Sequence, residues 1–191
     1  MKILLIDNYD SFTYNLFHYL EELNEGGVEV IRNDELDLSK VPQYDRVVLS
    51  PGPGLPKNAG KLMEFLKIYA TKIPILGVCL GQQAIAEHFG MQLKNLSEVV
   101  HGQSRKIEII ANKKGLFKDF PPEIKVGRYH SWVIDPKSIT DDVEVTSRDE
   151  AGNIMSIQHK TLPIQAVQFH PESVLTPRGK EILQNWLNTK S

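Results

Sequence analysis

The chain opens on an unbroken apolar run, residues 2–6, of the kind that is buried on both faces of a parallel sheet. Phe12, Leu16, Leu20 and Leu23 then recur at helical spacing. They predict an amphipathic helix with Asp10 or Ser11 as N-cap and Gly26-Gly27 as its stop. Residues 28–31 and 46–50 read as two further strands, and 60–71 as a helix whose apolar stripe is Leu62, Phe65, Leu66 and Tyr69. A short apolar strand at residue 75 feeds a helix over 83–89 that ends near Gly90. This β-α-β order predicts an α/β fold with a parallel sheet. After Met91 the pattern changes. Residues 106–110, 143–146 and 154–159 read as antiparallel strands, with a hairpin turn at Ala151-Gly152-Asn153. Residues 164–169 return to an apolar strand. A last helix has Thr176 as N-cap, Pro177 at its first position, and Ile182, Leu183, Trp186 and Leu187 as its buried stripe. The expected architecture is an open, mostly parallel central sheet flanked by helices, flavodoxin-like, with a small antiparallel edge.

Composition narrows this picture modestly. The 191 residues are enough for one well-buried domain (1–191) and short for two. A net charge of −2 without a long basic run points away from nucleic acid and anionic membranes. Lys113-Lys114 is the densest basic spot and reads as a solvated turn. The single cysteine excludes an internal disulfide and fits a reducing, cytoplasmic setting. The opening apolar run is too short for a signal peptide, and nothing approaches a membrane span.

Three stretches carry candidate chemistry. Gly77-Val78-Cys79-Leu80-Gly81 lies between a strand and a helix, which is the context of a nucleophile elbow. There the turn would expose Cys79 at a helix N-terminus, where free N–H groups and the helix dipole favour a thiolate. The plainer alternative is an inert core cysteine. Ser50-Pro51-Gly52-Pro53-Gly54-Leu55-Pro56 follows a strand directly. Its stiff backbone with bare glycine N–H groups suits an oxyanion, though it also reads as a simple connector. It lacks the Gly-Lys-Ser/Thr ending of a phosphate loop. His170-Pro171-Glu172 places a base and a carboxylate two residues apart, on one side of an extended strand end. The trio Cys79, His170 and Glu172 then supplies nucleophile, base and orienting group; the competing reading is a minor surface ion pair. The remaining histidines, His18, His88, His101, His130 and His159, do not stand at metal-ligand spacing, so no metal site is expected. Arg128-Tyr129-His130-Ser131-Trp132 is dense in polar and aromatic groups, reading as a pocket wall or an ordinary surface turn.

Taken together, Gly77–Gly81 with Phe169-His170-Pro171-Glu172-Ser173 resembles the class I (triad) glutamine amidotransferases. Asp7-Asn8-Tyr9-Asp10-Ser11-Phe12-Thr13, Ser50–Gly54 and Arg128–Ser131 narrow the likeness to the glutaminase subunits of anthranilate and aminodeoxychorismate synthases, over essentially the whole chain. The resemblance implies that Cys79, His170 and Glu172 form the triad. It implies an oxyanion hole from backbone N–H groups of the Gly52 loop and Leu80. Gly52, Pro53, Gly54, Gln83, Ser131 and Trp132 would hold glutamine, the last two through their backbone. Asp10, Ser11, Tyr14 and His101 would face a partner. That partner would be a chorismate-binding synthase subunit carrying Mg2+, with no cofactor in this chain. The product would be anthranilate, for tryptophan, and/or 4-amino-4-deoxychorismate, for folate. Gln82, Gln103 and Trp132 depart from the family pattern, in which His, Lys and Leu are common. Two rival readings stay open from residues alone: a cysteine hydrolase or peptidase of related architecture, and a non-enzymatic flavodoxin-like binding module.

Overall fold

A computed structural model describes residues 1–111 and 115–189; the Lys113-Lys114 pair lies outside the described residues. Five parallel strands form one half of the sheet: β1 (Ile3–Asp7), β2 (Val28–Arg32), β3 (Arg46–Leu49), β4 (Ile75–Val78) and β9 (Ile164–Val167). Four antiparallel strands continue it: β5 (Leu93–Ile109), β6 (Glu123–Ile134), β7 (Val143–Asp149) and β8 (Ile154–His159). The order across the sheet is β2-β1-β3-β4-β9-β8-β7-β5-β6. Helices α1 (Thr13–Leu23) and α4 (Gly179–Leu187) cover one face, and α2 (Leu62–Tyr69) and α3 (Leu80–His88) the other.

The opening run is apolar without alternation because both faces are covered. Ile3 and Leu5 pack with Leu16, Leu20, Ile182 and Trp186, whereas Leu4 and Ile6 pack with Leu62, Phe65, Ala84 and Ile85. All four strand residues are fully buried, which sets their register firmly.

The strand order reverses between β1 and β3, the place where open α/β sheets commonly leave a ligand crevice. Here that place is filled. Asn8 N–H donates to Ser50 Oγ at 2.8 Å, its Nδ2 donates to the Ser50 carbonyl at 2.8 Å, and Asn33 Nδ2 donates to Asn8 Oδ1 at 3.0 Å. Cys79 and Gln168 lie further along, directly after the C-terminal ends of β4 and β9.

The structure corrects the sequence reading in three places. The antiparallel part is no small edge: β5 spans 17 residues and β6 spans 12. In β6, buried Arg128 and His130 break the apolar alternation that would announce a strand. Arg128 to Trp132 therefore lies within β6, not in a turn. The α1 start is shaped by Asp7, whose Oδ1 accepts from Tyr9 N–H (2.9 Å) and Thr13 Oγ1 (2.8 Å), with Asp10 Oδ1 accepting from Phe12 N–H (2.8 Å); Ser11 is exposed and plays no such part. Finally, α4 begins at Gly179, not after Thr176. Thr176 Oγ1 is engaged elsewhere, donating to the His170 carbonyl (2.6 Å) and accepting from Gly127 N–H (2.9 Å).

Replacing Thr176 by Val keeps the shape but strands the buried Gly127 N–H and removes one of two donors to the His170 carbonyl, which Ser173 N–H still serves. A loss of about 1–3 kcal/mol is expected, read in urea as a lower midpoint at unchanged slope.

Candidate active site

The turn from β4 into α3 forces Cys79 into an unusual backbone conformation, φ 53° and ψ −101°. For a residue with a Cβ this is strained and persists only where its surroundings hold it. Two glycines make the surroundings possible. A Cβ on Gly77 would lie 2.6 Å from the Gly81 carbonyl carbon, and one on Gly81 would lie 2.5 Å from the Leu49 carbonyl oxygen. Strand and helix thus touch through backbone alone. Cys79 N–H donates to the Val167 carbonyl at 2.8 Å, which pins the turn to the end of β9. The first N–H groups of α3 have no partner within the helix and open beside Sγ.

The Gly52 loop packs against this turn. A Cβ on Gly52 would come within 2.7 Å of Leu80 Cδ2 and 2.6 Å of Asn8 Cβ. Pro53 and Gly54 are exposed at its tip, with Gly54 at φ 72°. Gly52 and Leu80 are therefore in direct contact, with Pro53 and Gly54 in the exposed part of the same loop.

His170 and Glu172 meet at 2.7 Å, Nδ1 to Oε1, and both are almost wholly buried. They do not meet by strand alternation, as the sequence implied. Strand β9 stops at Val167. His170 N–H then donates to the Gly127 carbonyl (3.0 Å), and Ser173 N–H closes a turn onto the His170 carbonyl (3.2 Å). Pro171 fixes φ within that turn, so the two side chains converge around a corner. Burial works against the His170 imidazolium, but the Glu172 charge and the nearby Cys79 sulfur outweigh it and hold the ring well above the ordinary histidine range. Complete burial pushes the Glu172 carboxyl up, and His170 opposes that rise. His170 Nε2 has no well-directed hydrogen bond within the protein, so its free edge is turned to Cys79. Such contacts commonly tighten only when substrate is bound.

Gln83 reaches across from α3 to β6: its Nε2 donates to the Trp132 carbonyl at 3.0 Å. Ser131 and Trp132 are half-buried beside it. Phe12 and Tyr129 pack on the His170 ring at centroid distances of 5.2 and 4.9 Å, and His101 stands 5.5 Å beyond Tyr129. Asp10 lies close enough to disfavour the Glu172 charge. Ser11 and Tyr14 are exposed on the neighbouring rim. The structure therefore gathers the residues singled out from sequence around one end of the sheet.

Gln168 escaped the sequence reading, and Arg128, His130 and Gln82 were named there without their partners or surroundings. Gln168, fully buried, donates from Nε2 to Cys79 Sγ at 3.5 Å; one apolar-polar alternation inside a strand-like run was its only trace. Arg128 pairs with Asp149 at 2.8 Å and donates from Nε to His130 Nε2 at 3.1 Å, both largely out of water. Burial, Arg128 and His170 push His130 down to about 3, so it is neutral near the triad. Gln82 is wholly buried with neither amide atom hydrogen-bonded within the protein. Among the described residues, no group of three or more His, Cys, Asp or Glu could hold a metal ion.

Residues 4–189 match the sequence model of the family described as glutamine amidotransferase class-I. The chain belongs to the class I glutamine amidotransferases. Among relatives in this family, it is 44% identical to the aminodeoxychorismate/anthranilate synthase component 2 of Bacillus subtilis, over 98% of this chain and 96% of that one. It is also 44% identical to the multifunctional tryptophan biosynthesis protein of Pichia angusta, over 98% of this chain and 51% of that one. It spans 32% of the bifunctional protein TrpGD of Thermotoga maritima and 51% of the Pichia angusta protein. A crystal structure from Thermoplasma acidophilum, provisionally described as belonging to a GMP synthase, superposes with TM-score 0.87 at 29% identity, covering 98% of this chain and 92% of that one.

The elbow of this amidotransferase leaves no room for a methyl group at Gly81. Gly81→Ala should destabilise the fold by about 1–3 kcal/mol and lower the rate at which Cys79 takes up iodoacetamide, both measured on purified protein.

Proposed function

We propose that this chain hydrolyses glutamine through a Cys79-His170-Glu172 triad and passes the ammonia to a chorismate-binding synthase subunit. The buried 2.7 Å His170–Glu172 pair facing a nucleophile on a positive-φ elbow carries the reading. The names of the near full-length relatives in this family supply the acceptor.

In this account the Cys79 thiolate attacks the side-chain amide carbon of glutamine. The oxyanion is met by backbone N–H groups of the Gly52 loop and Leu80. Losing one such donor would cost about 3–4 kcal/mol of barrier. His170 gives its proton to the leaving ammonia as the C–N bond breaks, leaving a γ-glutamyl thioester. His170 then takes a proton from water as the water oxygen bonds to the thioester carbon; the C–S bond breaks, its electron pair returns to Sγ, and glutamate departs. Glu172 holds the imidazole in place and sustains its cation. Gln83, Ser131 and Trp132 position the substrate, together with Gly52, Pro53 and Gly54. Asp10, Ser11, Tyr14 and His101 form the rim toward the partner, which carries the Mg2+; the chain itself needs no cofactor and acts in the cytoplasm. No described helix is long and apolar enough to cross a membrane, and the reading requires none.

The experiment is the product formed from chorismate, glutamine and Mg2+ by this chain with its co-purifying synthase. Anthranilate assigns it to the tryptophan route, aminodeoxychorismate to the folate route, and both to a shared subunit; no amination product would overturn the acceptor assignment. Glutaminase activity should be weak alone and raised by the partner. Equal rates with and without the partner would contradict the coupling.

Glu172→Gln removes the charge that sustains the imidazolium. The raised His170 value should fall, so the alkaline limb of the activity profile moves to lower pH. The value of kcat should drop by about 10²–10⁴-fold. The linked stability has the matching sign: protonation of His170 in the parent stabilises fully below about pH 6.5 and fades as pH rises through its raised native value.

A further inference from the structure

Gln168 sits where no other part of the account needs a glutamine, and its orientation can be fixed by elimination. The Trp132 carbonyl can only accept, so Gln83 must present its amide nitrogen there. That same Nε2 lies 3.2 Å from Gln168 and donates to Oε1. Gln168 is thereby forced to turn its own Nε2 to Cys79 Sγ, at 3.5 Å. Its backbone is equally tied, with N–H donating to the Met155 carbonyl at 2.8 Å. The whole relay is buried: Gln168 is fully enclosed and Gln83 nearly so. An amide donor aimed at sulfur in a water-poor setting is a stronger interaction than the same contact in solvent.

We infer that Gln168 is a further catalytic residue, donating a hydrogen bond that stabilises the Cys79 thiolate, with Gln83 locking its amide in the donating orientation. A hydrogen bond to the charged form of an acid favours that form. Sγ is thus served on two sides, by His170 and by Gln168. The proton that leaves the thiol goes to His170; Gln168 keeps both of its own. In the second half-reaction, which rests on the glutaminase reading above, the tetrahedral adduct expels sulfur. The C–S bond breaks, its electron pair returns to Sγ, and the Gln168 N–H meets the charge as it forms. Better stabilised thiolates leave faster. The tie through Gln83 also joins the glutamine-holding wall to the nucleophile, so that Trp132, Gln83, Gln168 and Cys79 form one continuous polar chain.

The test is the pH dependence of Cys79 alkylation by iodoacetamide on the full chain, in Gln168→Met and in Gln168→Glu. The titratable groups facing Sγ are His170 and, through it, Glu172, with His130 and Asp10 acting on that pair; none is altered by these substitutions. Gln168→Met conserves volume and removes the donor. The inflection should move up by about one pH unit, with alkylation at neutral pH about tenfold slower. Gln168→Glu keeps the shape and, once its carboxyl ionises, sets an acceptor and a charge beside Sγ in place of the donor, so it should move the inflection further in the same direction. Gln83→Met frees the Gln168 amide to rotate and should give a smaller upward shift. A folded Gln168 variant whose profile coincides with the parent overturns the inference, and if the methionine variant does not fold the glutamate variant decides. The readout involves no glutamine: a shifted profile in a chain that releases no ammonia would retain the Gln168 role while discarding the glutaminase.

Discussion

The site depends on one backbone constraint, the positive φ of Cys79. Between a strand that must stay in register and a helix that must pack against it, the chain has a single residue in which to turn. That residue is driven out at the C-terminal edge of the sheet, and glycine is required on each side because Gly77 meets Gly81 and Gly81 meets Leu49 at backbone distance. The tie from Cys79 N–H to the Val167 carbonyl passes the same constraint to β9. Strain at the nucleophile is therefore held by the most deeply buried part of the parallel sheet, where Leu4, Ile6, Leu49, Ile75 and Ile85 share one core.

The second half of the site is built differently. His170 and Glu172 lie beyond β9, on a corner that no sheet ladder stabilises by itself. It is held by side-chain and backbone ties to neighbouring elements: Gly127 on β6 receives His170 N–H, Thr176 bridges Gly127 and the His170 carbonyl, and Pro171 rests against the start of α4 so closely that Gly179 admits no Cβ. The large antiparallel wing is thus the wall on which the base is mounted. Its inner side carries buried polar groups: Arg128 pairs with Asp149 and donates to His130 Nε2, the Trp132 carbonyl accepts from Gln83, and His130 Nδ1 has no hydrogen bond within the protein.

This division explains what could be read from the sequence. The parallel half was legible because its strands are short apolar runs and its helices carry clean stripes, and Gly77–Gly81 has few other uses between such elements. Cys79, His170 and Glu172 stood out for the same reason, although the route by which His170 reaches Glu172 was not legible: residues two apart share a side in a strand, and here Pro171 makes a corner. Strand β6 was mostly hidden because Arg128 and His130 take buried places where apolar residues would announce a strand. Thr176 resembled a helix cap because a cap and a strand-end tie ask for the same hydroxyl. Gln168 left only one apolar-polar alternation, since its partners Gln83 and Cys79 are distant in sequence. Gln82 is the one departure whose buried amide has no hydrogen bond in the structure, and nothing in its surroundings explains the choice of glutamine.

The central claim is that strain at Cys79 delivers the sulfur that glutamine acylates. Its most direct test is mass spectrometry of the protein acid-quenched within the first turnover with glutamine, followed by peptide mapping. The account requires one γ-glutamyl group on the peptide containing Cys79, increased when water attack is slowed. Ammonia release with no adduct on Cys79, or an adduct on another residue, would contradict it.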